Sequence, residues 1–221
     1  MLPLLLASHA LVALRCTAPT TGDICRSRPV QLAVPSSLGR KAVLSLTLST
    51  ALAAFSRPSA ASAYNLRDAQ FSYSIAYPDD WKDGSKPVRT HEHERLLASP
   101  TGGGVKLGIT VDPVKIESLE AFGSLDQTTE RVLGVERGRD GVKEVTLRNN
   151  AAVLEDGQPT YYTINYVTES SRGTKIFLCK YCIANRRLYV LQAQANVATF
   201  DSDEAVRSTL ESLVGSFKVL V

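Results

Sequence analysis

Between Phe71 and Tyr77, large side chains at positions 71, 73, 75 and 77 alternate with Ser72, Ser74 and Ala76. This is the two-residue period of a strand with one buried face, and Pro78 stops it. Arg95–Ser99 and the alternating Val105, Leu107, Ile109 and Val111 flank Thr101-Gly102-Gly103-Gly104, which predicts a hairpin ended by Pro113. The pattern then changes period: Leu125, Thr128, Val132 and Val135 fall near one face of a short helix capped by Ser124 and closed by Gly138 and Gly141. Four strand-like segments follow, at 145–154, 160–168, 175–183 and 188–195. Asp156-Gly157, Ser171-Arg172-Gly173 and Asn185-Arg186-Arg187 separate them, and turns this short imply antiparallel pairing.

Asp201-Ser202-Asp203-Glu204 reads as the start of a second helix, with acids at the positive end of its dipole and Ala205, Thr209, Leu210, Leu213 and Val214 as its buried stripe. Residues 216–221 read as a last strand. The pattern predicts an α+β fold, an antiparallel sheet of about six strands with helices packed on it.

Residues 1–63 have another character. Met1–Leu14 is a short apolar run of the secretory type, and residues 16–41 are rich in Ser, Thr, Pro and Arg with one acid, the composition of an organelle transit peptide. Ala42–Phe55 is a second apolar run, preceded by Arg40-Lys41 and followed by the small-residue cleavage pattern Ala61-Ser62-Ala63. Neither run reaches the roughly 20 residues of a membrane-spanning helix. The expected division is a three-part targeting leader, 1–63, and a mature domain, 64–221.

Charge follows this division. The leader carries six basic residues and one acid, so of the chain's 25 basic and 22 acidic residues, 19 and 21 remain beyond position 63. The domain is therefore near −2, and the positive balance of the whole chain is no argument for nucleic-acid binding.

Side chains with chemistry are few. Cys179-Lys-Tyr-Cys182 has the C-x-x-C spacing of redox and zinc sites but lies in a predicted strand, whereas thioredoxin-type chemistry uses that motif at a helix N-terminus. Residues three apart in a strand point to opposite faces, with Cα atoms roughly 10 Å apart, too far for a disulfide. His91-Glu92-His93 places two imidazoles on one side of an extended segment, which makes His91 and His93 the candidate metal ligands, with Cys179 and Cys182 as candidate partners. The acids around Trp81 and those opening the second helix lack the spacing of a calcium loop. No nucleophile elbow, phosphate-binding loop or dinucleotide fingerprint occurs.

Several elements in order resemble the PsbP family, the extrinsic lumenal proteins of photosystem II and their paralogues. They are Phe71–Tyr77 with Pro78 and Trp81; Val111-Asp112-Pro113 followed by Ser118-Leu-Glu-Ala-Phe-Gly123; Asp156-Gly157 with Tyr161-Tyr162 and Asn165-Tyr166; Asn185–Leu191; and Ser216-Phe217. The resemblance implies an α/β/α sandwich and a non-catalytic protein peripheral to the thylakoid membrane. Its partners would be photosystem II lumenal subunits or another thylakoid complex, with calcium as the ion concerned and calcium and chloride retention, stability or assembly as the role. The stacked leader is similar to those of proteins sent to the thylakoid lumen of plastids reached through the secretory pathway. With seven residues, Tyr64–Gln70, between the expected cleavage and Phe71, the chain is closer to the PsbP-like and PsbP-domain paralogues than to the principal subunit. The alternative function is a lumenal redox or metal-handling protein on the same fold, using Cys179, Cys182, His91 and His93.

Overall fold

A computed structural model of the chain describes residues 63–84 and 91–221. Apart from Ala63, which opens the first strand, the expected leader lies outside the described residues.

Among the described residues ten strands and four helices follow one another. They are β1 (Ala63–Asp68), β2 (Tyr73–Pro78), β3 (Lys82–Asp83), β4 (His93–Ala98), β5 (Lys106–Pro113), α1 (Leu119–Phe122), α2 (Leu125–Arg137), β6 (Val142–Val153), β7 (Tyr161–Ser170), β8 (Gly173–Ala184), β9 (Arg187–Asn196), α3 (Val197–Ser202), α4 (Glu204–Ser216) and β10 (Lys218–Val219). The main sheet is seven-stranded and antiparallel, in the order β3-β4-β5-β9-β8-β7-β6, and β1-β2-β10 form a separate small sheet. The predicted hairpin and four-stranded meander are present with the expected pairing.

Each face of the main sheet carries its own core. One core holds Tyr73, Ile75, Leu107, Ile109, Tyr161, Tyr189, Leu191 and Phe217 beneath α4 and the small sheet. The other holds Leu133, Ile164, Tyr166, Phe177 and Tyr181 beneath α1 and α2. Because β8 and β9 are covered on both sides, they read as nearly continuous apolar runs, and the alternation so clear in Phe71–Tyr77 fades there.

The family-like motifs are packing devices. In Tyr77-Pro78-x-x-Trp81, the Trp81 amide closes a turn by donating to the Pro78 carbonyl at 3.2 Å, which returns the indole to the core. Ser118 caps α1 and Ser124 caps α2 through a reciprocal capping box with Gln127. Gly123 between them has φ 154°, a backbone that side chains disfavour, and its carbonyl accepts the Tyr162 hydroxyl at 3.2 Å. Ser216 Oγ both accepts from the Ala76 amide at 3.1 Å and donates to the Ala76 carbonyl at 3.2 Å, which fastens the end of α4 to β2.

Three expectations shift. Phe71 and Ser72 precede β2 rather than open it, because Ser72 has φ 52° and the Phe71 amide turns to donate to Asp68 Oδ1 at 2.9 Å. The second helix begins at Glu204, where Asp203 accepts from the Ala205 and Val206 amides, and Asp201 sits inside the short preceding helix α3. Ala205 is exposed at that end, so the buried stripe of α4 is Leu210, Leu213 and Val214.

Candidate functional site

Cys179 and Cys182 lie on β8 and face opposite sides of the main sheet. Cys179 joins the core under α2 and Cys182 the core under α4; both are free and fully buried. Burial pushes each thiol up to about 12, so at neutral pH neither presents the thiolate on which redox exchange and zinc binding depend.

The two histidines also part company. A bend at residues 91–92 precedes β4, and the His91 Nδ1 hydrogen donates to Asp112 Oδ2 at 2.7 Å. His93 lies opposite Val111, which faces the core under α4, whereas Asp112 has the other parity in β5. The imidazoles therefore serve different faces, and the expected placement on one side gives way to the bend. His93 stacks on Phe71 with ring centroids 4.2 Å apart, and its Nε2 lies 2.9 Å from the Tyr73 hydroxyl and 3.9 Å from Asp68 Oδ2. Burial is the main cause lowering its pKa, only partly offset by Asp68, and burial also opposes ionisation of Tyr73, so a neutral ring and a neutral phenol share this hydrogen bond.

Register keeps the four candidate ligands apart. His93, Val111, Tyr189 and Cys182 stand in one row across β4, β5, β9 and β8, and three strand spacings amount to roughly 14 Å. Among the described residues no group of three or more His, Cys, Asp or Glu is arranged to hold a metal ion, so these residues do not assemble a calcium or zinc site.

The polar side chains that do converge join elements together. Arg187 grips Glu92 with two hydrogen bonds, 2.8 and 3.2 Å, and ties β9 to the approach of β4. Lys180, 4% exposed, donates to the Phe217 carbonyl at 2.8 Å while its ammonium sits 4.4 Å from the Tyr161 ring centroid. The Tyr161 hydroxyl accepts from the Val219 amide at 2.9 Å. These two side chains clamp the stretch from the end of α4 into β10, and a cation there also suits the negative end of the helix. Glu136, 1% exposed, receives Arg139 Nη1 on both oxygens at 3.0 and 2.9 Å, and burial nevertheless raises its pKa. The sequence reading missed all of these. An acid in the apolar run Thr110–Val111–Asp112 and a lysine in Leu178–Cys182 were available signals, since a buried charge in a strand must find a partner.

The PsbP family profile matches residues 62–219. The chain belongs to the PsbP family. A PsbP domain-containing protein 2, chloroplastic, of Arabidopsis thaliana is 25% identical over 160 residues, spanning 69% of this chain and 65% of that protein, so the chain spans just under two thirds of its relative's length. The solution structure of cyanobacterial PsbP from Synechocystis has the same fold at TM-score 0.57 and 19% identity, covering 72% of this chain and 93% of that one. The Ran-binding protein Mog1p of Saccharomyces cerevisiae is similar at TM-score 0.46 and 12% identity, covering 72% and 96%. The PsbP match thus takes in both cores and the small sheet.

Proposed function

We propose that this chain is a non-catalytic extrinsic protein of the thylakoid lumen. In this reading it docks peripherally on photosystem II or a neighbouring complex and serves calcium and chloride retention, stability or assembly there. The family match over residues 62–219 carries the reading. The chloroplastic relative and the three-part leader pattern support it. The described side chains with redox or metal-binding chemistry add support, being engaged within the two cores or with one another. Since these residues assemble no calcium site, the ions belong in this reading to the complex. Residues 64–68 are spent on pairing β1 with β2, in keeping with a PsbP-like or PsbP-domain paralogue.

Fractionation tests address and attachment together. The chain in isolated thylakoids should resist external protease, begin at or near Tyr64 on N-terminal sequencing, and be released by high salt or alkaline washing once the vesicles are opened. A chain that retains residues 1–63, or that stays in the membrane through both washes, would overturn the lumenal, peripheral assignment. Among the described residues no helix is long and apolar enough to cross a membrane.

A further inference from the structure

One end of the main sheet gathers positive side chains that have no ion partner among the described residues. Lys106 opens β5, Lys175 lies near the start of β8, and Arg172 occupies the β7–β8 turn. Lys106 stands opposite Gln194, which in turn stands opposite Phe177, and Lys175 lies two residues from Phe177 on the same side of β8. Both lysines therefore share the face covered elsewhere by α2.

No ion pair or hydrogen bond from these three side chains occurs among the described residues. Arg139, at the end of α2, is a fourth cation acting on the same spot, and Glu136 holds it. After burial, the groups that lower the Lys175 pKa are Lys106, Arg172 and Arg139, and no acid counters them.

Carboxylates at facing positions would offset such a cluster. Here Lys175 stands between Asn196 and Thr168, and Lys106 between Gln194 and Ala98, none of them charged. Glu169 on β7, opposite Thr174, has its carboxylate 3.8 Å from the Lys143 ammonium. The domain's overall charge is near −2, so this local excess is set against the general field.

We propose that the end of the sheet carrying Lys106, Arg172 and Lys175 is a docking surface for an acidic protein segment, which lays its carboxylates among the three cations. The inference rests on the reading of the domain as a docking protein and supplies its surface. The choice of a protein segment over an anionic bilayer comes from the surroundings of the patch. Asp140, Glu144 and Glu169 are exposed on the side of α2 and β6, where a flat anionic surface would meet repulsion and a segment with localised carboxylates would not.

The test is carbodiimide coupling of the full chain to a synthetic peptide of alternating Glu and Ser at low ionic strength, with coupled lysines identified by mass spectrometry. Coupling should concentrate on Lys106 and Lys175 over Lys82, Lys115 and Lys218. It should fall about tenfold in the Arg172→Glu chain, and likewise at ~0.5 M salt. Circular dichroism unchanged by this exposed substitution would show that the fold is intact. Even coupling over all lysines would overturn the proposal. So would preferential binding to phosphatidylglycerol vesicles over the peptide, or coupling of Lys106 and Lys175 to the carboxylates of a second copy. The assay needs no thylakoid complex: focused coupling by a chain that associates with no thylakoid complex would keep the surface and overturn the complex.

Discussion

Cys179 and Cys182 share a spacing that in other settings means redox chemistry, and a single geometric fact decides against it here. Alternation along β8 sends one thiol into each core, and burial raises both to about 12. Labelling of the native chain by a thiol reagent should therefore be slow, and both cysteines should react together at the rate of global unfolding. Fast labelling of either thiol in folded protein would contradict the placement.

His93 gives a pH-dependent prediction of definite sign. Its folded pKa lies below the ordinary 6.5, mainly through burial, so the unfolded chain binds the proton more readily. The stability it contributes is complete above about 6.5 and is lost as pH falls from there through the folded value. The wild-type unfolding midpoint should drop across that window relative to His93→Gln, which keeps a hydrogen-bonding group for Tyr73. Parallel profiles would remove His93 from the account.

At the scale of elements, the clamp of Lys180 and Tyr161 on residues 217–219 explains how α4 and β10 are held on the sheet. Lys180→Met keeps the aliphatic stem but strands the Phe217 carbonyl, at a cost of about 2 kcal/mol. Amide exchange should quicken first at Val219 and Leu220, whose bonds to Tyr161 and Ser72 close the small sheet. A loss of protection spread evenly over the main sheet would contradict the clamp.

This scale also shows what could be read from the chain alone. The meander and the β4–β5 hairpin were legible because strand period and turn residues agree locally, and α2 because Ser124 and the spacing of its apolar positions mark it. β1, and the pairing that joins β1 and β10 to β2 in a separate small sheet, were not. Residues 63–68 are largely exposed and carry little alternation, and β10 has two residues, so both form by pairing with β2, a partner that local pattern cannot reveal. The site was less legible still. Asp112 finds His91 across 21 positions and Lys180 finds Phe217 across 37, and only the folded sheet brings them together.

For the whole molecule, the buried chemistry and the exposed charge point the same way. The described thiols and imidazoles are engaged inside the fold, while Lys106 and Arg172 are exposed and Lys175 half-buried at one end of the seven-stranded sheet. The most direct measurement is affinity purification of the tagged chain from gently solubilised thylakoids, with the co-purifying subunits identified by mass spectrometry. The account predicts photosystem II lumenal subunits or those of a neighbouring thylakoid complex, held in a salt-sensitive manner. Recovery of the chain free of any thylakoid complex, and with stoichiometric zinc lost on replacing Cys179 and Cys182, would contradict it.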